Sequence, residues 1–142
     1  MRYSKVIQLD VNPVAKPRMT QRDRWKKRNC VLKYHAFKDE LRLKLRGFDL
    51  PAYGYHLLFV IPMPKSWSQK KRRENNLQPH MPRPDRDNLE KAFLDAILEE
   101  DSGIWDGRIT KVWGERGLIV IGIMDEEDAM PRLQERVTFG KI

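Results

Sequence analysis

The chain has 142 residues, 40% of them hydrophobic and 34% charged, with a net charge of +8. That length fits one domain, residues 1–142, able to bury its own core, and the single cysteine, Cys30, excludes an intrachain disulfide. No stretch approaches the roughly 18 apolar residues of a membrane span, and the first residues lack the apolar core of a signal peptide, so the expectation is a cytoplasmic protein with no membrane partner.

The charge is unevenly spread. Residues 1–83 carry 20 Lys/Arg against 6 Asp/Glu, whereas residues 84–142 carry 8 against 14. Cations in one half suit a polyanionic backbone, and carboxylates in the other suit a metal ion. The plainer alternative is a chain with an unevenly charged surface and no such partner.

From Tyr3 to Val11 apolar and polar residues alternate after Ile7, which predicts a strand with one buried face. Pro13 ends it. Residues 16–28 follow, dense in cations: Lys16, Arg18, Arg22, Arg24, Lys26 and Lys27. This reads either as a solvated basic loop or as an arm that contacts phosphates. Trp25 within it would stack on a base or anchor the loop, anchoring being the commoner role of a lone Trp. Tyr34 to Leu45 predicts a helix, with Phe37, Leu41 and Leu45 as a buried stripe and Gly47 as its stop.

Tyr55 to Met63 is the most apolar run and predicts a buried central strand ending near Pro62. Residues 64–83 form a second basic region. Ser66 or Ser68 would cap a short helix carrying Lys70, Lys71, Arg72 and Arg73, and the proline-rich remainder reads as a mobile loop.

Asp85 then follows a proline and precedes a periodic apolar run, so it reads as the N-cap of a helix over residues 85–99. Leu89, Ala92, Phe93, Ala96 and Ile97 fall on one buried face, while Asp87, Lys91 and Asp95 recur at i, i+4 and i+8 on another. One helix start thus offers two carboxylates, an amide and a lysine. An acidic turn spans residues 99–107. Ile109 to Trp113 and Leu118 to Met124 read as two strands joined by a four-residue hairpin loop, the second apolar on both faces and therefore central. Pro131 to Val137 reads as a short helix. The fold class expected is α+β, a mixed sheet of about four strands packed against two main helices.

The block Asp85, Asp87, Asn88, Leu89, Lys91, Asp95, Ala96 resembles the D-x-D-N-L-x-K-x-x-x-D-A signature of the RusA family of Holliday-junction endonucleases. The early Lys16-Pro17-Arg18 segment is similar to phage and prophage members. The resemblance implies a homodimeric, Mg²⁺-dependent endonuclease of four-way DNA junctions, with Mn²⁺ as a substitute ion. It implies that Asp85 and Asp87 bind metal and that Lys91 is needed for cleavage. The family's second acidic motif is followed by a hydrophobic residue and a lysine. Asp101, Ile104 and Lys111 keep that spacing, with Glu100 in the first place of the pair, so Asp101 is the preferred third carboxylate and Asp106 the alternative. Asn88, Asp95 and Glu100 would support the metal ligands from behind, and Lys111 would join the DNA-contacting cations.

These residue types suit the reaction. Mg²⁺ takes oxygen ligands and keeps several waters, so two or three aspartates suffice, and a carboxylate-held cation activates water and stabilises a leaving oxygen. Two other readings stay open: a DNA-binding accessory protein without catalysis, and a nuclease preferring flaps or forks.

Overall fold

Why the apolar runs end up where they do follows from the pairing of four strands. The structure, a computed structural model, describes residues 3–24 and 28–125. Strand β1 is Tyr3–Leu9, helix α1 is Asn29–Lys44, β2 is Tyr55–Pro62, α2 is Gln69–Asn75, α3 is Arg86–Ile97, β3 is Gly107–Gly114 and β4 is Leu118–Met124. The fold is α+β, and the sheet order is β1-β4-β2-β3. β4 pairs antiparallel with both β1 and β2, while β2 and β3 run parallel. β2 and β4, the two most apolar runs, are therefore the interior strands, as their composition requires.

Register places Leu57 opposite Ile121 and Ile109, and Phe59 opposite Ile119. These residues share one face of the sheet, because successive side chains alternate. On that face α1 contributes Tyr34, Phe37 and Leu41, Leu45 follows at its C-cap, and α3 contributes Leu89, Ala92, Phe93 and Ala96, to a single core. Each fully buried large side chain here contributes about 1.5–3 kcal/mol. β1 is an edge strand with the expected one-sided burial: Leu9 is buried and Val6 exposed. Helix α1 begins five residues earlier than the apolar stripe predicts, at Asn29. Gly47, at φ +78°, makes the turn beyond it, a conformation that costs glycine little.

Two local expectations are corrected. β3 and β4 are not a hairpin: β2 lies between them, and residues 115–117 carry the chain around the end of β2. Gly117 lies against Asn12 so closely that a Cβ would sit 2.7 Å from the Asn12 Cα. Nor does the proline-rich segment after α2 behave as a free loop. Leu77 N–H donates to the Trp113 carbonyl, Trp113 N–H to Gln78 and His80 N–H to Lys111, at 2.9, 3.0 and 3.2 Å. These bonds cover the open edge of β3, which would otherwise invite pairing with another chain. The helix expected over Pro131 to Val137 lies outside the described residues. Among the described residues no helix is long and apolar enough to cross a membrane.

Candidate active site

α3 stands on the core through Leu89, Ala92, Phe93 and Ala96, which leaves Asp87, Glu90 and Lys91 on its outward faces. Asp85 occupies the N-cap position with extended backbone, and its side chain makes no capping bond. The turn leading into the helix is tied to the sheet by Lys111 of β3, whose Nζ donates to the Pro82 and Pro84 carbonyls at 2.7 Å each. Lys111, expected among the DNA-contacting cations, also holds the start of α3 in place.

Beside that start lies an open, largely polar cleft of about 540 Å³. Arg86, Asp87 and Glu90 line it from α3, and Asp106 to Thr110 line it from the head of β3. Two of its carboxylates are held by neighbouring residues at the start of β2. The Gly54 N–H donates to Asp106 Oδ2 at 3.2 Å, and the Tyr55 hydroxyl donates to Glu90 Oε2 at 2.7 Å. Tyr55 is 1% exposed. Burial, the Glu90 hydrogen bond and then the fields of Glu90, Asp106 and Asp101 push its hydroxyl pKa well up, so it stays a donor. Its ring crosses Gly107, where a Cβ would lie 2.6 Å from the Tyr55 hydroxyl oxygen and nearer still to the ring. Only glycine leaves that passage open.

Lys91 and Asp101 meet elsewhere. Lys91 Nζ donates to Asp101 Oδ2 at 2.8 Å and lies 4.0 Å from Asp95 Oδ1. The hydrogen bond to Asp101, with that carboxylate's charge, raises the Lys91 pKa. Asp95 is a structural junction: its Oδ2 accepts from Lys16 Nζ at 2.8 Å and from the Tyr34 hydroxyl at 2.9 Å. Burial alone would raise its pKa, but Lys16 and Tyr34 outweigh it and hold the carboxyl below its ordinary value. Lys16 N–H also donates to the Asn88 carbonyl at 3.2 Å, and Glu100 Oε1 accepts from Ser102 N–H at 3.1 Å.

Of the predicted carboxylates, then, Asp87 and Asp106 share the cleft, and Asp85 and Asp101 are not among the residues lining it. Among the described residues, no three His, Cys, Asp or Glu side chains come close enough to hold one ion. Glu90 was not singled out from the sequence. Its signal was its place at i+3 from Asp87, which puts the two on one helix face. Tyr55 and Gly107 left no such signal, because their roles depend on which strand lies beside which.

Farther along β3, α2 presents cations. Ser68 caps it by accepting from Lys71 N–H at 3.2 Å. Lys70, Lys71 and Arg73 are exposed, and the Lys71 ammonium sits 4.3 Å from the centre of the Trp67 ring. Arg72 is turned inward to Glu115 at 2.7 Å. Trp67 packs on Trp113, which packs on the buried His80, with ring centres 4.8 and 4.3 Å apart. This stack fixes the basic helix to the sheet edge. Of the earlier cations, Arg18 and Arg22 are exposed, while Trp25, Lys26 and Lys27, with the side chain of Arg24, lie outside the described residues.

A two-layer α+β domain that sets a polar cleft with three carboxylates and a cationic helix along one strand is a scaffold suited to phosphodiester substrates. The family model described as endodeoxyribonuclease RusA matches residues 10–124, and the chain belongs to that family of endodeoxyribonucleases. No curated protein and no solved structure matches it.

Proposed function

We propose that the protein is a divalent-cation-dependent endonuclease that cuts branched DNA, four-way junctions foremost, and that it acts as a homodimer. The observation that carries this is that Asp87, from the family's aspartate block, and Asp106, just before β3, line one polar cleft. The donor chemistry fits a hard ion. Asp87 and Asp106 offer carboxylate oxygens only, and Mg²⁺ binds through one or two carboxylates while keeping several waters. In this reading Asp87 and Asp106 hold the cation, and Asp106 takes the place first assigned to Asp101. Asp85, at the N-cap, stands outside the residues that line the cleft.

Bound there, the cation would supply an activated water and charge stabilisation at the leaving oxygen. The chain's own groups do the rest. Gly54 and Lys111 keep the two acidic elements in register. Arg86, in the cleft wall, faces the phosphate. Lys91 is held by Asp101 beside the site, one helical turn from Asp87, where it can turn toward a phosphate and balance its charge. Lys70, Lys71 and Arg73 meet flanking phosphates, which position the duplex without reading its sequence. Two-fold symmetry in a dimer would present two such clefts in matched orientation, as paired nicks need.

The test is nicking of a synthetic four-way junction with and without Mg²⁺, beside flap and fork substrates. Wild-type protein should cut the junction only with the cation. Asp87→Asn should bind the junction and leave it intact. Undiminished cutting by that variant would remove the proposed cation role, and binding without cutting by the wild type would favour an accessory protein.

A further inference from the structure

We propose that Glu90 is a further carboxylate of the cation site and that Tyr55 is the residue that positions it. The family's block leaves this place open, D-x-D-N-L-x-K, and here a glutamate fills it, three residues from Asp87 on the same face of α3. Glu90 lines the cleft together with Asp87 and Asp106. A glutamate on a helix surface ordinarily turns freely into solvent. This one is half-buried, and its Oε2 is taken by the hydroxyl of a tyrosine that is 1% exposed. The tyrosine reaches it only because residue 107 has no side chain. Its neighbour Gly54 holds Asp106 in the same way through its N–H. One short segment, residues 54–55, therefore sets the positions of two acidic groups that come from different elements.

Such an arrangement defines the role. With Oε2 committed to Tyr55, Glu90 has Oε1 left. Among the described residues three acidic groups do not converge closely enough to ligate one ion. Glu90 is therefore placed to accept hydrogen bonds from the waters that a bound Mg²⁺ retains, orienting them beside Asp87 and across the cleft from Asp106. Partners of this kind change metal affinity by about 10–100-fold when removed.

The inference rests on the cation reading above, and the experiment separates the two. Mn²⁺ alone is titrated into the full chain without DNA, with free Mn²⁺ followed by electron paramagnetic resonance, for wild type, Asp87→Asn, Glu90→Gln, Tyr55→Phe and the Glu90→Gln/Tyr55→Phe pair. Expected is about tenfold weaker Mn²⁺ binding in Glu90→Gln and in Tyr55→Phe, and a double variant no weaker than the weaker of these two, since both act through one contact. In cleavage assays Glu90→Gln and Tyr55→Phe should need about tenfold more Mg²⁺ for half-maximal rate. Wild-type Mn²⁺ affinity in Glu90→Gln, with affinity lost in Asp87→Asn, overturns this inference and leaves the nuclease reading intact. Unchanged affinity in Asp87→Asn overturns the cation site itself. If Tyr55→Phe melts far below wild type, Glu90→Gln, whose side chain reaches solvent, decides alone.

Discussion

Replacing Gly107 by alanine tests the packing on which the cleft is built. The added methyl would lie 2.6 Å from the Tyr55 hydroxyl oxygen and closer to the ring carbons, so something must move by an ångström or more. β2 cannot shift easily, being paired on both sides from Tyr55 onward. Over-packing of a filled interior costs about 1–3 kcal/mol. The ring can instead swing aside, but it then gives up its 2.7 Å bond to Glu90, and hydrogen bonds to charged groups are worth about 1.5–3 kcal/mol. The two costs are alternatives more than addends, so the expected loss is about 2–3 kcal/mol, or a melting point lowered by about 5–10 °C at this size. Guanidinium unfolding followed by circular dichroism measures it. In a Tyr55→Val background, which has no ring to collide with, the same alanine should cost under about 1 kcal/mol. A Gly107→Ala protein within about 0.5 kcal/mol of wild type, or an equal cost in both backgrounds, would refute the reasoning.

Three further outcomes follow from the geometry. His80 is buried against Trp113, its Nδ1 without a hydrogen-bond partner among the described residues, and burial and then Lys111 lower its pKa below 6.5. The neutral ring is the folded form, so its contribution is complete above pH 6.5 and is lost as pH falls from there through the folded value. Urea midpoints from pH 7.5 to pH 5 should decline more steeply for wild type than for His80→Phe, and parallel curves would rule His80 out. Asp106→Asn should abolish Mn²⁺ binding, whereas Asp101→Asn should leave it within a few-fold and bring the Lys91 pKa back down, read by ¹⁵N NMR of the ammonium; the reverse ranking would restore Asp101 as the third ligand. Lys71→Ala should weaken junction binding at all sequences alike and reduce the slope of log affinity against log salt by about one; an unchanged slope would remove α2 from the DNA surface.

Much of the fold was legible because it is local. The 3.6-residue stripe of α3, the apolar runs of β2 and β4 and the serine cap of α2 are written in neighbouring residues, and the strands and helices appear within a few residues of where those patterns put them. The hairpin expectation failed for the same reason. Two adjacent strands with a short link are the usual hairpin pattern, and nothing nearby records that β2 takes the place between them. The edge-covering segment 77–80 reads as a free loop because its prolines mark it as irregular, while its bonding partners, Lys111 and Trp113, lie far along the chain on β3.

The site divides along the same line. Sequence by itself determined the chemistry: oxygen donors at the head of one helix, cations in the first half of the chain, and a block of residues specific enough to carry a family. Tertiary structure alone decided which carboxylates share the cleft, lining it with Asp106 and Glu90 as well as Asp87 and giving Asp101 to Lys91. The physical reason is that helix periodicity orders groups a few residues apart, whereas the distance between α3 and β3 is set by the side chains packed between them and by what lies at residue 107.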